Sequence, residues 1–167
     1  RVDLSPGATT PHYLDMAADS PEALAMPEAE IEKLRRLVNE AYALFGARHF
    51  REYHFLLSLS DHVAHFGLEH HESSDNRVRE RMWLDDDVRI AASNLLSHEL
   101  AHSWNGKYRR PAGLATPDYQ QPMKDDLLWV YEGLTQYLGF VLAGRSGIRT
   151  PQQTSDNLAI VAAALDS

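Results

Sequence analysis

Apolar residues follow a helical period in four stretches of the chain and alternate in one. After Pro27, residues Ile31, Leu34, Leu37, Val38, Ala41, Leu44 and Phe45 recur at intervals of three and four up to Gly46. That stripe predicts an amphipathic helix opened by proline and stopped by glycine, with core packing as its role. Tyr53, Phe55, Leu57 and Leu59 alternate with His54, Leu56, Ser58 and Ser60, which predicts a strand. Neither Gly nor Pro interrupts Val88 to Trp104, Asp85, Asp86 and Asp87 precede this run, and Gly106 follows it. One helix is expected there, with acids at its positive end and Lys107, Arg109 and Arg110 at its negative end. Another follows Asp125 and Asp126, through Leu127, Leu128, Val130, Leu134, Leu138 and Val141 to Gly144. A last one opens at Thr150-Pro151 and runs through Leu158, Val161 and Leu165. Residues 1–20, with Pro6, Gly7 and Pro11, lack a period and read as a loop or short strand linking to an upstream domain. These elements predict a single, mostly helical α+β domain over 21–167 with a small β-sheet.

Candidate chemistry concentrates in His98-Glu99-Leu100-Ala101-His102. On a helix, residues four apart differ by about 40° around the axis, so the two imidazoles stack and can bind one tetrahedral metal ion. Glu99 lies roughly 100° further round, placed to reach a water on that metal without being a ligand. Ala91, Leu95, His98 and His102 share one stripe, while Leu96 and Leu100 lie on another face. A helix apolar on more than one side is usually buried, so the histidines need partners, and a metal supplies one. One zinc ion per chain is expected, with Glu99 as general base.

The chain has no cysteine, so a third ligand must be His, Asp or Glu. Glu132 leads, because a charged residue in so apolar a stretch is costly to bury unless paired or metal-bound. Gly133 beside it is expected to let two helices approach closely. Asn105, one turn beyond His102, and Thr135 and Gln136, one turn beyond Glu132, are candidates to orient the ligands. Trp104 and Trp129 read as packing residues. His62, His65, His70 and His71 match no metal-ligand spacing and read as a polar loop and strand. The formal net charge of −8 argues against a nucleic-acid partner and suits a substrate bearing a free amine. No apolar run approaches a membrane span. Beginning at Arg1, the chain reads as a piece of a longer protein.

His98–His102 with Glu132 on a following helix resembles a gluzincin, the thermolysin-related class of zinc peptidases. More closely, the chain resembles the glycyl aminopeptidase family of bacterial gluzincins, which usually carry a PDZ domain after the catalytic domain. The likeness covers about residues 50–140. It rests on His98-Glu99-Leu100-Ala101-His102-Ser103-Trp104-Asn105, Lys107, Arg110-Pro111, Asp118-Tyr119, Leu128-Trp129 and Glu132-Gly133-Leu134-Thr135-Gln136-Tyr137, with Gly67-Leu68-Glu69-His70 upstream. Phe66 stands where the family often has a second glycine, and Pro122 where it often has glutamate.

The resemblance implies a thermolysin-like catalytic domain and zinc held by His98, His102 and Glu132. It also implies a peptide substrate with a free N-terminus and a small first residue, Gly or Ala. It makes Gly67–Ser73 a strand edging the cleft, where Glu69 holds the substrate's α-ammonium. Related gluzincins take an oxyanion donor from a Tyr or His well after the third ligand, which is expected to lie past Ser167; Tyr108, Tyr119, Tyr131 and Tyr137 are alternative candidates, and the sequence does not choose among them. Two rivals remain: a zinc endopeptidase with an open cleft, and a peptide-binding module with structural zinc. Glu99 argues against the second, since a structural site needs no base.

Overall fold

The computed structural model describes residues 1–165 as a mixed α/β domain, 48% helical, around a five-stranded sheet. The strands are β1 (Val2–Asp3), β2 (His12–Ala18), β3 (Tyr53–Leu59), β4 (Phe66–Glu69) and β5 (Ser73–Val78), in spatial order β1-β2-β3-β5-β4. The helices are α1 (Glu28–Phe45), α2 (Asp86–Ala91), α3 (Leu95–His102), α4 (Thr135–Ser146) and α5 (Pro151–Leu165). β2, β3 and β5 run parallel; β1 and β4 pair antiparallel to their neighbours at the two edges.

The alternation in β3 is obeyed throughout, with Tyr53, Phe55, Leu57 and Leu59 all buried. α1 buries Leu34, Leu37, Val38 and Ala41 and ends at Gly46, whose φ of +67° is the left-handed conformation glycine adopts most readily. α5 opens as expected: the Thr150 hydroxyl accepts the Gln153 N–H at 3.1 Å while Gln153 accepts the Thr150 N–H at 2.9 Å.

The structure corrects the sequence reading in four places. Residues 1–20, expected as a loop or short strand, contain β1 and β2, the latter a full seven-residue strand of the sheet with His12 and Leu14 buried. β5 was hidden because its inward positions are Ser74, Asn76 and Val78, two of them small and polar. The Asn76 amide nitrogen donates to the Leu56 and Ser74 carbonyls at 3.3 and 3.0 Å, while its Oδ1 is buried without a partner. The single helix expected over 88–104 is two, α2 and α3, broken at 92–94. The Asp85 side chain does cap α2, accepting from the Asp87 and Val88 N–H groups. The helix expected from Asp125 to Gly144 begins as a short 3-10 turn, widens to a π-helix over Trp129–Leu134, and becomes α4, which ends at Gly147. Among the described residues no helix is long and apolar enough to cross a membrane.

The sheet and α3 face each other across the core, where Leu96, Leu100, Ala101 and Trp104 join Tyr53, Phe55 and Leu57. Trp104 stacks on Phe45 at 4.5 Å and donates to the Ala47 carbonyl at 2.9 Å, whereas Trp129 is 70% exposed and does not pack as expected.

Candidate active site

α3 carries His98 and His102 toward the π-helix that holds Glu132. His98 Nε2 and His102 Nε2 are 3.0 Å apart, and Glu132 Oε2 lies 3.4 and 3.3 Å from them. A tetrahedral ion with bonds of about 2.0–2.1 Å requires donor separations of about 3.3–3.4 Å. The three atoms therefore fit such an ion closely. Widened π turns recur where a helix must aim a functional side chain, as this one aims Glu132.

The geometry of the triangle has local causes. His102 Nδ1–H donates to the Asn105 carbonyl at 3.1 Å, which leaves its Nε2 as a lone pair turned to the triangle. The Asn105 amide in turn donates to the Val130 carbonyl at 2.7 Å and the Thr135 hydroxyl at 2.9 Å. One residue thus aligns His102 and ties the end of α3 to the helix bearing Glu132. Asn105 and Thr135 lie where a partner for the ligands was sought, and Gln136 lies against His98. Close approach of the helices comes from Gly139, not Gly133. A Cβ at Gly139 would stand 3.1–3.2 Å from the His98 backbone and Cβ, while one at Gly133 would meet nothing within 4 Å. Ser97 locks the same crossing by donating to the Gly139 carbonyl at 2.9 Å.

Glu99 is 4% exposed, and its Oε2 has no hydrogen-bond partner. Its donor atom and those of His98 and His102 lie within 4.8 Å of one another. Burial pushes its carboxyl up to about 8, with Glu69 and Glu132 adding and Lys107 opposing. Burial also lowers the His98 imidazole, with His102 in the same direction. β4 passes directly over Glu99: a Cβ at Gly67 would stand 1.9 Å from Glu99 Oε1 and 2.5 Å from Cδ.

Glu69 shares the Gly67 face of β4 but is already engaged. Tyr131 donates its hydroxyl to Glu69 Oε1, and Lys107 Nζ is 3.2 Å from the same oxygen. Burial raises the Glu69 carboxyl, but the Tyr131 hydroxyl, the Glu69 backbone N–H, Lys107 and His102 outweigh it and leave it lowered. The Tyr131 ring also lies 4.8 Å from that of His102, and Gly106, at φ +147°, makes room for it, since a Cβ there would be 2.9 Å from that ring. Lys107 was read as compensating a helix end, and Tyr131 only as an oxyanion donor; their pairing with Glu69 joins segments 38 and 62 residues apart, beyond any local signal. Of the other tyrosines, Tyr108 stacks on His49 at 4.6 Å, Tyr119 is wholly exposed and Tyr137 is half exposed.

β4 is a free edge. Its register pairs Glu69 with Ser74, and the next pair is closed by the His70 N–H donating to the Ser73 carbonyl at 2.8 Å. Hydrogen-bonded pairs alternate in an antiparallel ladder, so Leu68 and Phe66 also bond to β5, and Gly67 turns its N–H and C=O outward.

Residues 91–167 match the M61 glycyl aminopeptidase family. The resemblance read from the sequence is therefore found over a stretch that includes His98, Glu99, His102 and Glu132, and it supports a peptidase. β4, with Gly67 and Glu69, precedes the M61 match. In fold the chain is similar to the crystal structure of an aminopeptidase N family protein from Idiomarina loihiensis, with TM-score 0.71 and 24% identity. That alignment covers 90% of this chain and 26% of the other, so the chain spans about a quarter of that protein's length. No curated protein matches it.

Proposed function

We propose that the protein is a zinc-dependent aminopeptidase of the thermolysin-like, gluzincin class that removes a small N-terminal residue, Gly or Ala, from peptides. The observation that carries this reading is the triangle of His98, His102 and Glu132 at 3.0–3.4 Å with a buried carboxylate, Glu99, beside it. His98, His102 and Glu132 would hold the ion. When bound, zinc lowers the pKa of a water toward about 7 and polarises a carbonyl. Glu99 takes a proton from the attacking water and delivers it to the leaving amine. Its burial makes it a stronger base than an exposed carboxylate. Gly67, with its outward N–H and C=O, pairs with the substrate backbone as an added strand. Glu69 accepts the α-ammonium through Oε2, clear of the two contacts on Oε1.

One observation favours the endopeptidase alternative: Lys107 already supplies Glu69 with a cation. The two readings separate on blocked substrates. An aminopeptidase loses most of its kcat/KM when the N-terminus is acetylated, and Glu69→Ala narrows that difference; an endopeptidase cleaves both forms alike.

Metal analysis and turnover on the same samples test the centre. About one zinc per chain is expected, lost in His98→Ala and His102→Ala. Glu99→Gln should keep the zinc and lower kcat about 10²–10⁴-fold, because Gln is nearly isosteric but accepts no proton. Substantial turnover in Glu99→Gln would remove Glu99 as the base, and full metal retention by either histidine variant would overturn the ligand set.

A further inference from the structure

The carboxylate of Glu69 is held by one oxygen. Tyr131 donates its hydroxyl to Oε1 and Lys107 Nζ lies 3.2 Å from that same atom; neither contact is made to Oε2. A carboxylate accepts about four hydrogen bonds, two at each oxygen, so Oε1 is filled and Oε2 is left for a ligand. The side chains of Lys107 and Glu69 are only 14% and 15% exposed, and Tyr131 is buried. A buried ion pair contributes little net stability, because desolvation offsets the attraction, so what this one provides is geometry. Both partners of Glu69 are themselves fixed to His102. The Lys107 backbone N–H donates to the His102 carbonyl at 2.9 Å, and the Tyr131 ring lies against the His102 imidazole. Two braces thus run from one residue of the triangle to a carboxylate on the edge strand β4. Lys107 also acts on Glu99, so a single cation serves two of the site's carboxylates.

We propose that Lys107 and Tyr131 are positioning residues that make Glu69 a ruler: they fix Oε2 at a distance from the triangle that admits one residue, so the substrate is cut after its first residue and not after its second. The proposal rests on the aminopeptidase reading, with Glu69 as the anchor of the α-ammonium. An extended chain advances about 3.3–3.6 Å per residue. An unbraced glutamate carboxylate covers a comparable span by changing rotamer. A loose Glu69 therefore also accepts an ammonium that lies one residue further out. It binds either register more weakly, because ordering the side chain then costs free energy at each binding event. In this role Lys107 does not compete with the substrate: the lysine takes Oε1 and the ammonium takes Oε2.

Cleavage of Gly-Ala-Leu amide, free and N-acetylated, by the zinc-loaded full-length protein tests this, with products resolved by mass spectrometry. The variants are Lys107→Met, Lys107→Arg and Tyr131→Phe. The wild type should release Gly first. Lys107→Met should raise KM for the free peptide about tenfold with kcat changed less, short of the 10²-fold that a 1 Å misplacement can cost. It should also release the dipeptide Gly-Ala, which successive single removals cannot produce. Tyr131→Phe, which keeps the ring on His102, should show both effects in smaller measure, and Lys107→Arg, which keeps a cation, should show less than Lys107→Met. Zinc content should be unchanged throughout. In a Glu99→Gln background, where the peptide binds without turnover, Lys107→Met should weaken the free peptide by the same factor and leave the acetylated one unaltered. If Lys107→Met fails to fold, release of Gly-Ala by Tyr131→Phe decides. Tighter binding of the free peptide by Lys107→Met would make the lysine a competitor and overturn the proposal. So would equal losses on free and acetylated peptides, or the absence of Gly-Ala from the products of both Lys107→Met and Tyr131→Phe. The aminopeptidase reading survives those results as long as the wild type prefers the free peptide; equal cleavage of both peptides by the wild type would overturn both.

Discussion

Glu99 and the missing side chain of Gly67 occupy one space. The backbone at Gly67 is not in the left-handed region, so glycine is required there for room and not for conformation. Gly139 makes room at the His98 backbone in the same way. These two residues allow matched predictions. Gly67→Ala puts a methyl into the carboxylate of Glu99; kcat should fall about 10²-fold, the low end of what a positioned base contributes, with zinc content unchanged. Gly139→Ala presses on His98 instead; overpacking of this kind costs about 1–3 kcal/mol, so the melting temperature and the zinc affinity should both drop. Metal titration and turnover on the two variants check the contrast, and equal zinc loss in both would refute it. Neither role could be read from sequence, since a glycine's neighbours across a cleft are set by β4 lying over α3.

At the scale of elements, the centre depends on how the end of α3 meets the π-helix. Asn105 makes that joint with its carbonyl on His102 and its amide on Val130 and Thr135. Asn105→Ala keeps the carbonyl but frees the joint, and groups that orient ligands typically matter 10–100-fold for metal affinity. Zinc dissociation should strengthen by that factor in Asn105→Ala and by less in Thr135→Val, which removes one of the two amide acceptors; competition with a chelator measures both. The position of Asn105, Thr135 and Gln136 near the ligands was legible from helical spacing. The break between α2 and α3 was not, because no Gly or Pro marks it. Ser93 makes the break with side-chain bonds instead: its hydroxyl donates to the Ile90 carbonyl at 2.5 Å and accepts from Arg149 Nε at 2.5 Å, a partner 56 residues away.

Across the whole molecule, β2 ties the amino-terminal residues to the core through a buried histidine. His12 Nδ1–H donates to the Thr10 carbonyl at 3.1 Å, and Tyr42 on α1 donates to its Nε2 at 3.0 Å. Burial depresses the imidazole to about 4, Thr10 opposing and Arg48 adding. The unfolded chain takes up a proton near pH 6.5 while the fold refuses it until about 4. Stability is therefore intact above 6.5, declines as pH falls through that window, and levels off below it. At about 1.4 kcal/mol per pH unit, the loss amounts to about 3 kcal/mol. Denaturant unfolding of the zinc-free protein at pH 7.5, 6 and 4.5 should show this decline, and His12→Gln should show less of it, the remainder coming from His98 and His49, whose imidazoles burial also lowers.

The sequence alone determined what is local and periodic: α1, β3, the cap of α2, the Thr150 cap that opens α5, and the juxtaposition of His98 and His102 with Glu99 beside them. A helix turn places residues i and i+4 together whatever else the chain does, so that half of the centre needs no tertiary information. Tertiary structure decided the rest. It joined Glu132 to the histidines through a widened turn, made β5 a central strand despite its polar inward face, and gave Glu69 the partners Lys107 and Tyr131. Those outcomes depend on which surfaces meet after the chain has folded back over tens of residues, and contacts of that separation leave no period in the sequence to read.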